Sequence, residues 1–292
     1  MAEAALAPSR IATASRMRLR LDWGGAVGVA LTAAVVFIAV FGPRLTPYDP
    51  LEQTLEARLR PPGFARGPHT HWLGTDNLGR DILSRVLAGA RPSLAVGLSA
   101  LAFAAVVGVP AGLASGYYRG RFDKIVMRLA DIQLAFPAIL LALAILAVAG
   151  PSNLNLIAVL ALSLWVIFAR VVRGEALSLR QREFIGAAVA MGAGDARIFR
   201  RHVFPNLAGT LLVLASVSLT RVILAEAALS FLGMGIQPPT PTWGGMISDG
   251  RAYLAVAWWV ATMPGLVLTL AVIGFNLLGD YLRDRIDPRL RS

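Results

Sequence analysis

Few side chains in this sequence have the types and spacing that chemistry needs. Arg221 and Glu226 are the ionisable residues of an otherwise apolar stretch, residues 207–232. A charge in hydrocarbon is costly, so such residues face a cavity, a partner or a passage. They lie five apart, so on a helix of 3.6 residues per turn they point to different faces; Ser230 is the better same-face partner for Glu226. Arg221, deeper in the stretch, is expected to face a polar cavity. For Glu226 two readings stand: it lines a passage, or it bonds to a neighbouring helix near the outer end. His69 and His71 flank Thr70 in an extended segment with only Asp76 as a nearby carboxylate, a poor metal-binding set. The third histidine, His202, lies far from any serine–aspartate pair that it could serve. There are no cysteines, which excludes disulfides, thiolate metal sites and a cysteine nucleophile. No G-x-x-x-x-G-K-[ST] phosphate loop occurs, Lys124 is the sole lysine, and Gly192-Ala193-Gly194 is a bare G-x-G. The chain is therefore expected to be no enzyme, to bind no metal or cofactor, and to leave any ATP hydrolysis to another polypeptide.

A second constellation offers mechanics rather than catalysis. Residues 184–192 read Phe-Ile-Gly-Ala-Ala-Val-Ala-Met-Gly, and residues 197–206 read Arg-Ile-Phe-Arg-Arg-His-Val-Phe-Pro-Asn. Ala187, Ala188 and Ala190 make a small helical surface that a partner groove could approach closely. Gly192 or Gly194 can end that helix at positive φ. Asp195 suits the start of the next helix. Arg197, Arg200 and Arg201 give that helix a cationic face, and Pro205 is expected to stop it. Composition alone would also allow an ordinary basic loop. The ordered Ala-Ala-x-x-x-Gly and Phe-Pro spacing favours a stiff, hinged unit built to be pushed.

The elements that position these residues are membrane spans. The chain is 56% hydrophobic and 15% charged, with mean hydropathy +0.63; a soluble protein carries about 25% charged residues. Uncharged runs cover residues 23–41, 93–118, 132–169 and 252–279. The third run is too long for one crossing, and Gly150-Pro151-Ser152-Asn153 divides it into a hairpin. With residues 207–232 this predicts an all-α membrane protein of six transmembrane helices. The net charge of +11 would suggest nucleic acid in a soluble protein, but here its distribution matters more. Arg10, Arg16, Arg18 and Arg20 precede the first span, four basic residues follow the second, and residues 170–206 carry seven. The positive-inside rule then puts both termini and the 170–206 segment in the cytoplasm, with no nucleic-acid partner. The first run exceeds a signal-peptide core and no small-residue cleavage site follows it, so it reads as a retained anchor. The expected organisation is a cytoplasmic tail (1–22), a first span with an extracytoplasmic segment (23–91), a five-helix core (92–280) whose cytoplasmic loop is 172–206, and a second tail (281–292).

The extracytoplasmic segment opens rich in proline and closes on residues 71–85. Thr75 and Asp76 are plausible helix starters, and Asp81 and Arg85 are spaced to pair. Two readings remain, a short amphipathic helix at the membrane surface or a solvated loop with a helical end. Trp243, Trp258 and Trp259 suit a water interface.

Particular blocks resemble one family. Gly74-Thr75-Asp76, Gly79-Arg80-Asp81, Ser84-Arg85 and Gly89-Ala90-Arg91 are similar to the signature of the C-type permease of dipeptide, oligopeptide and nickel ABC importers. So are residues 127–131 with 134–137, residues 226–235, residues 238–244, and the tail from Phe275 to Arg289. The 184–206 segment resembles the loop by which such permeases dock on their ATPase, with Gly186 standing where the family often has Glu and Glu183 one turn earlier. The resemblance implies the type I ABC importer permease fold in a bacterial inner membrane. It implies a homologous second permease, two ATPase domains that bind Mg-ATP, and an extracytoplasmic peptide-binding protein. It implies peptide as cargo, with nickel or another small ligand as the alternative. An ion-coupled transporter would need acidic residues at mid-depth, where Glu226 stands alone. An intramembrane enzyme would need a catalytic grouping that the sequence lacks.

Overall fold

A computed structural model describes residues 23–66 and 69–286. Residues 1–22, with the basic cluster at Arg10–Arg20, and residues 287–292 of the second tail lie outside the described residues. Helix α1 (Trp23–Leu45) is the first crossing. After it an irregular segment carries a two-stranded antiparallel hairpin, β1 (Phe64–Arg66) and β2 (His69–His71), with Ala65 opposite Thr70. Helix α2 (Ile82–Tyr118) follows, then α3 (Gly120–Leu134), α4 (Ala138–Ala149), α5 (Asn153–Arg180), α6 (Glu183–Ala190) and α7 (Asp195–Ile198). A π-helical turn (Phe199–Val203) leads into α8 (Phe204–Phe231), and α9 (Trp243–Gly250) and α10 (Trp259–Ile286) complete the fold. Among the described residues five helices are long and apolar enough to cross a membrane, and α3 with α4, bent by 87°, brings the number to six when that pair is counted as one broken span.

The predicted division at residues 150–153 is present. Gly150 closes α4 at φ +81°, and Ser152 caps α5 by accepting from the Asn155 amide. The third crossing is less regular than a simple span. Helix α4 has 12 residues and covers only about 18 Å, short of a hydrocarbon core of about 30 Å. Helix α3 carries Asp123, Lys124, Arg128 and Asp131 and is strongly amphipathic. Two ion pairs hold it to α5: Arg173 grips Asp123 through two bonds of 2.5 and 2.7 Å, and Arg170 meets Asp131 at 2.5 Å. Gln133, beside the bend, accepts from the Trp165 indole at 2.6 Å and donates to the Leu162 carbonyl.

Helix α2 differs most from expectation. It starts at neither Thr75 nor Asp76 but at Asp81, whose carboxylate accepts from the Ser84 amide at 2.7 Å. It then runs unbroken through Pro92 into the membrane, so no separate surface helix exists. Ile82 and Val86 are buried against Met246, Ala257 and Trp259 rather than laid on lipid, which makes the first turns part of the packed protein.

Helices α2 and α5 make the most intimate pair in the fold. Gly108, Gly112 and Gly116 form a ridge at four-residue spacing, and a Cβ added at each would sit 2.5, 2.3 and 2.6 Å from the carbonyl oxygens of Trp165, Ala169 and Arg173. Small residues let backbones approach where lipid offers no hydrophobic drive to association. The apolar core is continuous across α2, α4, α5 and α8, with a second layer where α1, α2, α8 and α10 meet around Trp243 and Phe275.

Candidate functional site

The 71–91 block that sequence singled out folds into a buried ionic cluster. Asp76 is its centre. One carboxylate oxygen accepts from the amides of Leu78 and Arg80 at 2.9 Å each. The other accepts from Arg80 Nε at 2.7 Å and Arg85 Nη1 at 2.6 Å. The sequence pairing of Asp81 with Arg85 is thus corrected. As the N-cap of α2, Asp81 points back along the chain to the Ser84 amide and hydroxyl and to His71 Nδ1, at 2.9 Å, while Arg85 reaches Asp76 and, at 3.4 Å, Asp249. Thr75 is fully buried; its hydroxyl accepts from the Arg60 amide at 2.9 Å and donates to the Ala57 carbonyl. Gly79 sits at φ +75°, and a Cβ there would fall 1.9 Å from the Thr54 carbonyl oxygen, so only glycine fits. Gly74, also at positive φ, lets the chain pass Arg60 and the Trp259 ring.

Two tryptophans assigned to the water interface belong to this cluster instead. Trp243 is fully buried and donates its indole N–H to the Val86 carbonyl at 3.0 Å. Trp259 donates to the Thr75 carbonyl at 3.2 Å. Trp258 is half-exposed. Asp249, on α9, was not singled out by sequence, since its partners are some 160 residues away in the chain (|i−j| = 164 for Arg85). Burial pushes its carboxyl up from the ordinary value; Arg80 pulls it back and Asp76 adds to the rise. A cavity of about 310 Å³ opens beside the cluster, bounded by Asn77, Arg80, Ser230, Gln237 and the 238–242 segment.

At the opposite end residues 183–206 form α6, a break at Gly192–Gly194, α7 and the π turn that leads into α8. Ile185 and Ala188 face inward, onto Val172, Leu179, Ile198, Val203 and Leu207. Gly186, Ala187, Val189, Ala190 and Met191 are exposed, as is Phe184. The two adjacent alanines therefore differ in role: Ala187 is presented outward, whereas Ala188 is part of the loop's own core. Gly192 breaks α6 at φ +80°. Gly194, not Asp195, is the N-cap of α7. Asp195 lies in the first turn, where the helix dipole favours it, and its two oxygens accept from the hydroxyls of Tyr117 and Tyr118, at 3.0 Å each. Arg197, Arg200 and Arg201 are exposed.

Pro205 does not stop the helix. The run from Asp195 to Phe231 is continuous, with the π turn just ahead of the proline. Proline lacks an N–H and its ring clashes with the carbonyl four residues back. A π turn closed by the Phe204 amide on the Phe199 carbonyl widens the backbone at that point.

Between the two ends, α8 carries both intramembrane ionisable residues. Glu226 is sealed inside the chain and accepts from the Ser230 hydroxyl at 2.7 Å, the same-face couple that spacing suggested. Arg221 is exposed, on a stripe with Val217, Leu224 and Ala228. The other faces of α8 are covered by α2, α5, α9 and α10.

The comparisons with known proteins settle the class. The binding-protein-dependent transport system inner membrane component family matches residues 108–292. The chain belongs to this family. The N-terminal TM domain of oligopeptide transport permease C matches residues 13–62 of this permease. It is 42% identical over 270 residues to a di/tripeptide transport system permease protein of Pseudomonas aeruginosa, covering 92% of this chain and 89% of that one. It is 42% identical to a glutathione transport system permease protein of Pectobacterium atrosepticum, covering 90% and 85%. A chain of the MetNI methionine ABC transporter in an inward facing conformation shares the fold, with TM-score 0.57, 20% identity, and 70% of this permease and 96% of that chain covered. This permease is thus a multi-pass, non-catalytic transport subunit of the inner membrane, with the C-type character that its motifs led us to expect. Among the described residues no group of His, Cys, Asp and Glu could hold a metal ion.

Proposed function

We propose that this permease forms half of the passage of an ATP-driven importer of short peptides, and that residues 183–206 are its contact with separate ATPase subunits. The single observation that carries the reading is the outward face of α6. Phe184, Ala187, Val189 and Met191 expose apolar surface on a segment anchored from behind by Ile185 and Ala188, and Arg182, Arg197, Arg200 and Arg201 of the same segment are exposed. An apolar patch rimmed by charge is how a protein contact looks. The basic residues of 170–206, with the positive-inside rule, support its cytoplasmic placement and that of both termini.

The remaining parts of the machine follow from the family. A second permease completes the passage, two ATPase domains bind Mg-ATP beneath it, and an extracytoplasmic binding protein delivers cargo to the outer face. Relatives named for di/tripeptide and glutathione transport favour a short peptide as cargo. Arg221 lines the passage in this reading, since it stands on the open stripe of the helix that the rest of the fold surrounds. ATP acts by binding one conformation of the assembly better than the other.

Ala187→Glu tests the docking face without touching the loop core. The expected result is loss of the ATPase subunits on co-purification and a fall in dipeptide uptake of about tenfold, one step of 1.4 kcal/mol, with all six spans still inserted. Normal uptake by this variant would remove the α6 face from the contact.

A further inference from the structure

We propose that α2 is a rigid strut joining the cytoplasmic loop to the extracytoplasmic ionic cluster, and that Tyr117 and Tyr118 fasten the loop to it through Asp195. The proposal rests on the docking role given above to residues 183–206.

The lower fastening is specific. The two tyrosines are the last residues of α2, and both hydroxyls donate to the one carboxylate on α7. The Arg180 guanidinium lies over the Tyr117 ring, 4.9 Å from its centroid, and so ties in the end of α5. Phe199, in the π turn, packs edge-on against Tyr117 at 4.6 Å between ring centroids. Three chain segments distant in sequence are thereby locked at one point. Displacement of α6 and α7 by a partner has to displace the end of α2.

The upper fastening is equally specific. Asp81 caps α2, and Arg85, one turn in, bonds Asp76 and reaches Asp249 on α9. Movement of α2 therefore carries residues 71–81 and α9 with it.

A strut has to be stiff between its ends, and α2 contains Pro92 and Pro110. Each removes a backbone hydrogen bond and would weaken a free helix. Both weak points are splinted. Around Pro110, the Gly108–Gly116 ridge is in backbone contact with α5. Around Pro92, Trp243 bonds α2 on both sides, its indole N–H to the Val86 carbonyl at 3.0 Å and its amide to Ser93 Oγ at 3.2 Å. The 37 residues of α2 span about 55 Å, more than the membrane is thick, so a single element reaches both surfaces. Both sites bias the same body, which is the physical requirement for coupling between them.

The test removes the hydroxyls and keeps the rings. In the assembled importer, Tyr117→Phe with Tyr118→Phe should leave the ATPases bound and their basal hydrolysis intact. Stimulation of hydrolysis by peptide-loaded binding protein, and uptake with it, should fall by about tenfold, within the range of coupling free energies. Either single variant should retain most of the stimulation, because Asp195 keeps one donor. Full stimulation in the double variant would overturn the proposal, and so would loss of the bound ATPases, which would make the hydroxyls part of docking. A second measurement uses the absence of native cysteine. Spin labels at Ala196→Cys, exposed on α7, and Val106→Cys report the loop-to-α2 distance. That distance should be the same with and without ATP in the parent and should change with ATP in the double Phe variant; a change in the parent would refute the strut. If the parent chain does not co-purify with ATPases at all, the docking reading fails, a result distinct from any of these.

Discussion

Replacing Gly112 with alanine places one methyl group where the fold has no room for it. The new Cβ would stand 2.3 Å from the Ala169 carbonyl oxygen and 2.9 Å from the Ala169 Cα, both backbone atoms that cannot rotate aside. Ordinary contact would need about 3.4 Å or more, so α2 and α5 must separate by about 1 Å at their crossing. A gap of that size forfeits about a quarter to a half of the dispersion energy of the contacts it opens. Overpacking of this kind costs about 1–3 kcal/mol, and the gain in helix propensity of about 1 kcal/mol for Gly→Ala offsets only part of it. The same change at Gly186 has the opposite sign. A Cβ there meets nothing within 4 Å, and Gly186 is exposed within α6. It should stabilise the loop by about 0.5–1 kcal/mol. The assay is thermal unfolding of the purified importer in detergent, alongside peptide uptake. Gly112→Ala should lower the midpoint and Gly186→Ala should leave it equal or higher. A Gly112→Ala importer as stable as the parent would refute the inference that the glycine ridge sets the α2–α5 distance.

Three further outcomes follow from the ionic cluster and the caps. Asp76→Asn leaves Arg80 and Arg85 buried without their charge partner and should cost about 3–5 kcal/mol, read as a lower unfolding midpoint. Asp249→Asn should cost far less, since its contacts with the same arginines are long, at 3.4 and 3.5 Å, and its side chain is 42% exposed. Because the Asp249 carboxyl is raised in the folded chain, ionising it opposes folding: its contribution is complete below about pH 3.9, the unfolded value, and is lost as pH rises through the raised folded value. Unfolding midpoints of Asp249→Asn measured across acidic pH should therefore lack the part of the decline that the parent shows on raising the pH. Ser152→Ala removes the cap of α5 and should cost about 1 kcal/mol, seen as faster amide exchange at residues 153–156.

The apolar spans and the position of the basic loop between them were legible in the sequence because both are one-dimensional properties. A run of about 20 apolar residues has to span or be buried, and the placement of arginine between such runs needs no knowledge of packing. The hairpin break at Gly150 and Ser152, the helix break at Gly192 and the Glu226–Ser230 couple are likewise local, set by φ and by spacing on one helix. What escaped sequence reasoning depends on distant partners. Whether Arg85 bonds Asp81 or Asp76 is decided by the cap geometry that turns the Asp81 carboxylate toward Ser84. Whether Trp243 sits at the interface or in the core depends on a carbonyl at Val86. Pro205 reads as a helix stop until a π turn accommodates it, and adjacent alanines at 187 and 188 look alike until Ile198 and Val203 cover one of them. Composition and periodicity determined that this chain is a multi-pass membrane protein with a basic loop between spans, and its motif blocks pointed to the permease family. Only the tertiary structure decided which residues of that loop face outward and which charges are neutralised, because burial and ion pairing are properties of three-dimensional proximity, and the chain brings those partners together from opposite ends of its length.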